Sequence, residues 1–248
     1  MIHSTRGIVL RTVKYGETSL IVTLLTELFG VQAYMVNGAR SQKKGSSKAM
    51  MMQPGAILEL EVYQNNIKNI QRIKESNWGI VYHTVFSDVI KNSIALYMME
   101  LLYKILKQPE QHTDLFYFCE DILISLDKAD ASVAANIPLF FSLQLTQLVG
   151  FKIQEPNNEN LSEANCYLDL REGRFIDSIP EHSHFIGGKG AVLTAELLKA
   201  MHPSELHQIK LNKQWRRALL LSYQEYYALH FSDFGQMKTL SVLQEVLG

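Results

Sequence analysis

What is scarce in this sequence narrows it first. Cysteine occurs twice in 248 residues, as Cys119 and Cys166. That is too few for a disulfide framework and fits a reducing compartment. No apolar run approaches the ~18–20 residues that a membrane span needs. The longest, near 137–151, is interrupted by Ser142, Gln144, Thr146 and Gln147. The opening "MIHSTRGIVLR" has no apolar stretch behind a basic one, so a secretory signal is not expected and the chain reads as cytoplasmic. Catalytic signatures are missing too: there is no G-x-S-x-G, no H-E-x-x-H and no deaminase-type zinc pattern. "GGKGAVLTAELL" sets glycines before a helical run, but it lacks the spacing of a phosphate loop and a strand ahead of it. No internal repeat or low-complexity tract appears.

What is present is the composition of an ordinary globular chain, 47% hydrophobic and 20% charged. The net charge of −1 conceals a split. Residues 1–80 carry ten basic and five acidic side chains, a balance of +5. The remaining 168 residues carry fourteen basic and twenty acidic ones, a balance of −6. Such asymmetry points to parts with different partners, and the basic part is the smaller.

Residues 6–75 read as strands. "RGIVLRTVKY" sets Ile8, Leu10 and Thr12 against Val9, Arg11 and Val13, and "YGE" then signals a turn. "TSLIVTLLTE" and "VQAYMVNG" make two further runs. In "PGAILELEVYQ", Leu58, Leu60 and Val62 alternate with Glu59, Glu61 and Tyr63, the period of a half-buried strand. Asn65 and Asn66 form a turn pair before "IKNIQRIKES". Five short strands, with the longest linker between the third and fourth, predict a small Greek-key barrel of the OB-fold type.

The period changes after about residue 78. Ile94, Tyr97, Met98, Leu101, Leu102 and Ile105 form a helical stripe that Pro109 ends. Residues 114–127, 132–149, 191–201, a long run capped by Asn212, and 236–247 read as further helices. Residues 152–190 lose periodicity, although "CYLDLREGRF" suits a hairpin. The expected class is therefore α+β: a five-stranded OB-fold barrel over residues 1–78, then an all-helical domain over 79–248 with an irregular insert at 152–190.

One segment stands apart. "VNGARSQKKGSSKA", residues 36–49, holds Arg40, Lys43, Lys44 and Lys48 with no acidic residue. Read alone, a charge run suits a solvated loop. Gly38 and Gly45 flank this one, however, and it falls where the long loop of the barrel belongs. Arg6, Arg11 and Lys14 in the first strand add charge, and Tyr15 and Tyr34 add ring surface. Cationic side chains release counterions from phosphates, and rings stack on bases without regard to sequence. Together they describe a DNA-binding surface.

Other clusters weigh less. Trp215, Tyr223, Tyr226, Tyr227 and Phe231 suit core packing better than a stacking platform. With Arg216 and Arg217, they also allow an apolar groove rimmed by arginine that fits an acidic peptide tail. Cys166, His182 and His184 lack the paired spacing of a zinc site, so no metal is expected. Glu59 and Glu61 share one strand face. A solvated face explains them more simply than a metal-dependent nuclease.

The ordered series "GIVL", "YGETS", "TELFG" and "GARS" within residues 7–45 resembles the opening of the RecO family of bacterial DNA repair proteins. The end, "RRALLLSYQEYYALHFSDFGQMKTLSVLQEVL", also fits that family. The resemblance implies an OB-fold followed by a helical domain; with the catalytic motifs missing, no enzymatic activity or cofactor is expected. It implies binding of single- and double-stranded DNA, annealing of complementary strands, and action with RecR in loading RecA onto strands coated by single-strand-binding protein. DNA contact carries over to Arg40, Lys43 and Lys44, while Lys48, Arg6, Arg11 and Lys14 are added on electrostatic grounds. The helical domain is expected to dock the tail of single-strand-binding protein. Many family members have four zinc-binding cysteines after the central helices, where this chain has Cys166 alone. The rival reading makes the barrel a protein-interaction module with incidental DNA binding.

Overall fold

Alternation becomes strand in each stretch that carries it. The computed structural model describes residues 1–40, 48–65, 67–156 and 162–247. The first strands are β1 (Ile2–Tyr15), β2 (Ser19–Thr26) and β3 (Gly30–Val36). A one-turn helix, α1 (Lys48–Met51), precedes β4 (Ile57–Tyr63) and β5 (Ile70–Trp78). Helices α2 (Val89–Ile105), α3 (Thr113–Lys128) and α4 (Ala131–Leu148) follow. The chain continues through β6 (Tyr167–Asp169), β7 (Arg174–Ile176), β8 (Phe185–Gly187) and α5 (Lys189–Lys199). A 3-10 helix (Pro203–Gln208), α6 (Lys213–His230) and α7 (Thr239–Val246) complete it. Two compact units result, residues 1–127 and 128–248.

In the first unit, β1 to β5 close into a barrel in the order β1-β2-β3-β5-β4, the OB-fold arrangement. Neighbouring strands are antiparallel except β3 and β5, which run parallel over three registered pairs: Ala33 with Ile70, Tyr34 with Gln71 and Met35 with Arg72. The inward positions form one core. Val9, Leu20, Val22, Leu24, Tyr34, Val36, Leu58, Leu60 and Val62 fill it, and Met51 and Met52 pack with them. Each such side chain removed from water stabilises the barrel by roughly 1.5–3 kcal/mol. At the β2–β3 turn Gly30 adopts φ +61°, and a Cβ there would lie 1.9 Å from the Glu110 carbonyl oxygen. Only glycine fits both the backbone angle and that approach.

Helices α2 and α3 group with the barrel. The stripe Ile94, Tyr97, Met98, Leu101, Leu102 and Ile105 is buried, and the side chain of Asp88 caps α2 by accepting from Ile90 N–H and Lys91 N–H. The change from strand to helix follows Trp78, whereas the compact units divide only after Asp127.

Among its described residues, the second unit is helical apart from one small sheet. Residues 152–190 carry no periodicity in the sequence, yet β6 pairs antiparallel with both β7 and β8. The hairpin expected in "CYLDLREGRF" is therefore present, and "HSHF" leads into its third strand. Gly173 turns the hairpin with φ +63°. The α6 tyrosines are core residues whose hydroxyls have partners. Tyr223 pairs with Thr194, Tyr226 donates to Phe151 O, and Tyr227 donates to Ser142 O. Asn212 caps α6 by accepting from Trp215 N–H, as its sequence position predicts.

Candidate nucleic-acid interface

The predicted cations do not all lie together. Lys14 is in register with Leu20 at the end of the barrel that carries the β1–β2 turn. Arg40 reaches the same end, since its backbone N–H donates to Thr18 O. Both side chains are exposed, and so is Lys48 at the start of α1. Tyr15, half exposed, stands beside that turn. Lys43 and Lys44 lie outside the described residues.

Arg6 has a different place. It is eight residues before Lys14 on β1, up to about 27 Å away along an extended strand. Its Nε donates to Glu27 at 3.1 Å, and its Nη1 donates to both Glu120 oxygens at 2.7 and 2.9 Å. The guanidinium also lies over the Phe116 and Tyr117 rings. Burial lowers its pKa, but Glu27 and Glu120 outweigh that and raise it overall. Glu27 is held below the usual carboxylate range, first by the Tyr117 hydroxyl and then by Arg6. Engaged this way, Arg6 ties β1 to α3, and its charge is already matched by two carboxylates. Arg11 stays exposed, but its Nη1 donates to the Tyr103 hydroxyl and it stacks on that ring. Tyr34 adds no ring surface either. It points into the barrel, and burial pushes its phenol pKa far up.

The structure assembles cations that sequence reading left out of the interface. Tyr34 and Gln71 are buried, so their neighbours Met35, Ile70 and Arg72 face outward by the alternation of strands. On β4, Leu60 and Val62 point inward, which turns Tyr63 outward. Register then sets Met35 beside Arg72 and Arg72 beside Tyr63 across three adjacent strands. Because β3 and β5 pair over so short a length, their seam is a trough. One depression of about 320 Å³ is lined by Asn37, Lys48, Tyr63, Arg72 and Lys74. A second, of about 620 Å³, shares Met35, Tyr63 and Arg72 and adds Lys68 and Ile70. Gln71 fixes the far lip, accepting from Asn65 N–H and donating to the carbonyls of Asn65 and Lys68. Among the described residues Arg72, Lys68, Lys48, Lys14 and Arg40 enter no ion pair, whereas Lys74 binds Glu61 at 2.6 Å.

The other half of the β4–β5 face is acidic. Glu61 is paired directly with Glu75, and Glu59 with Asn77. These residues, with Ser4, Arg6 and Glu27, line a depression of about 420 Å³. A bulge between Glu61 and Val62 separates this half from the trough.

In the second unit Arg216 is half buried and donates to Asn136 Oδ1, and burial lowers its pKa. Cys166 is buried. His182 approaches Asp169, and His184 approaches Glu225. Among the described residues no group of three or more His, Cys, Asp or Glu side chains is placed to share a metal ion. None of the described helices is long and apolar enough to cross a membrane.

A family profile described as recombination protein O N terminal matches residues 1–79. One described as recombination protein O C terminal matches residues 87–238. The DNA repair protein RecO of Phocaeicola vulgatus is 31% identical over 246 residues, covering 99% of both chains. That of Bacteroides fragilis is 32% identical over 247 residues, again covering 99% of each. The RecO protein of Flavobacterium psychrophilum is 32% identical over 247 residues, covering 98% of each.

Proposed function

The chain belongs to the RecO family of DNA repair proteins, and from that premise we propose that it is a non-enzymatic, cytoplasmic recombination mediator whose barrel binds DNA. The observation that carries this reading is the convergence of Lys14, Arg40 and Lys48, which enter no ion pair among the described residues, at one end of the barrel beside the trough holding Arg72 and Lys68. Lys43 and Lys44 adjoin them in sequence. Binding by phosphate neutralisation is sequence-independent and releases counterions. The same screening brings two complementary strands together, which is what annealing needs, and no bond is made or broken by the protein. RecR and the tail of single-strand-binding protein are the partners in this reading, and loading of RecA is the outcome.

A labelled oligo-dT titrated with full-length protein over a salt series tests the site. Wild type should bind with a steep salt dependence, and Lys43→Glu/Lys44→Glu should bind more weakly with a shallower slope. Matching curves would remove Lys43 and Lys44 from the interface. The acidic half of β4–β5 favours a second role for the barrel. Glu59, Glu61 and Glu75 repel phosphates and suit a basic protein surface, so partner binding should survive the lysine substitutions.

A further inference from the structure

The trough and the cationic end of the barrel differ in chemistry. The end offers mainly charge, from Lys14, Arg40 and Lys48, with Tyr15 at its β1–β2 turn. The trough offers charge between apolar surfaces: Arg72 is flanked by Met35 on β3 and Tyr63 on β4, with Ile70 next along β5. Strands lie ~4.8 Å apart, so the Met35 and Tyr63 backbones are about 10 Å from each other with the Arg72 backbone between them. Tyr63 is 45% exposed. It lines both depressions of the trough.

Resting on the DNA-binding reading above, we propose that this trough is the single-strand-selective part of the interface, taking unpaired bases against Tyr63 and Met35 and their phosphates on Arg72 and Lys68. A duplex covers its base faces by stacking and can present only its phosphates to such a groove. An unpaired strand presents both, and every base has a face that a ring can stack on. The cationic end, by contrast, meets the phosphates of either form. Charge also limits the path of the strand. Beyond the bulge lie Glu61, Glu75 and Glu59, and Lys74 neutralises the carboxylate nearest the trough. A phosphate chain is thereby turned away from the acidic half, toward Lys68 at one lip and Lys48 at the other. The hydrogen bonds of Gln71 hold the Lys68 lip in place before any ligand arrives, which reduces the ordering cost of binding.

The test compares full-length protein on labelled oligo-dT and on a labelled duplex of equal length at one salt concentration. Tyr63→Ala should weaken single-strand binding by roughly 5- to 100-fold and leave duplex binding within about twofold. Tyr63→Trp, which restores a ring, should bind like wild type. Equal losses on both probes, or no loss on either, would overturn the selectivity. If wild type binds neither probe, the DNA-binding reading itself fails, and the trough falls with it. A photocrosslinking oligo bearing halogenated uracil, used on wild type, keeps the proposal testable should Tyr63→Ala fold poorly. Attachment to the peptide containing Tyr63 is expected. Attachment only elsewhere would mean that the trough serves another ligand, such as a protein segment, and would overturn the inference.

Discussion

Replacing Arg6 by alanine separates a structural cation from a DNA-binding one. The substitution removes the Nε bond to Glu27, both Nη1 bonds to Glu120 and the contacts over Phe116 and Tyr117. The Glu120 side chain is only 9% exposed and would be left as a buried carboxylate without its cation. Breaking a fully buried pair from one side costs about 3–5 kcal/mol. Arg6 itself is 32% exposed, so water relieves part of this and ~3 kcal/mol is the working figure. For a chain of this size that lowers the unfolding midpoint by roughly 6–12 °C. Calorimetry on wild type, Arg6→Ala, Glu120→Ala and the double variant measures it. The two single losses should fall short of additivity by about 1–3 kcal/mol. Below the lowered midpoint, the salt dependence of oligo-dT binding should match wild type. The reasoning is refuted if the midpoint stays within a degree or two while the salt slope becomes shallower by ~0.7, the loss of one phosphate contact.

Gly30→Ala should lower the same midpoint by several degrees, because the left-handed backbone and the 1.9 Å approach to Glu110 O must both be relieved; an unchanged midpoint would mean that the turn repacks freely. Acid should destabilise the first unit. Glu27 is held down by Tyr117 and Arg6. Burial opposes the shift at Asp127, but the N–H groups of His83, Thr84 and Val85 outweigh it. Both carboxylates have lowered pKa values, so their contribution is complete above the ordinary carboxylate range and is lost as pH falls through the folded values. The midpoint should hold steady from pH 8 to about 6 and decline from about pH 5 to 3, whereas a rise on acidification would contradict the assignment. Asp127→Ala should cost about 2 kcal/mol by leaving those backbone donors unmet, seen as a reduced urea midpoint at neutral pH.

Local signals in the sequence were reliable where the interactions were local. Leu58, Leu60 and Val62 alternate with Glu59, Glu61 and Tyr63, and β4 follows. Asn212 reads as a cap and is one. "CYLDLREGRF" reads as a hairpin, and β6 and β7 form it around Gly173. The small sheet was only half legible, because its third strand, β8, is three residues long and gains its definition from pairing with β6. The 3-10 helix at Pro203–Gln208 had a proline at its start as its main signal.

The interface was less legible, for a physical reason. Arg6 and Arg11 look identical to Lys14 in a charge count. Their partners Glu120 and Tyr103 lie 114 and 92 residues away in sequence, and only the packing of α2 and α3 joins them. The trough depends on the parallel pairing of β3 with β5. Nothing in "VQAYMVNG" or "IKNIQRIKES" specifies that Met35 will stand beside Arg72. "IKNIQRIKES" read as the fifth strand, but which surface its side chains would join was not visible.

The most direct test of the account is the salt dependence of oligo-dT binding by the wild-type protein at pH 7. A barrel that holds several phosphates on Lys14, Arg40, Lys48, Lys68 and Arg72 predicts log K falling with log salt at about −0.7 per contact, so a slope of roughly −2 to −4. Measurable affinity with a slope near zero would contradict phosphate neutralisation as the basis of binding. So would the absence of binding at low salt.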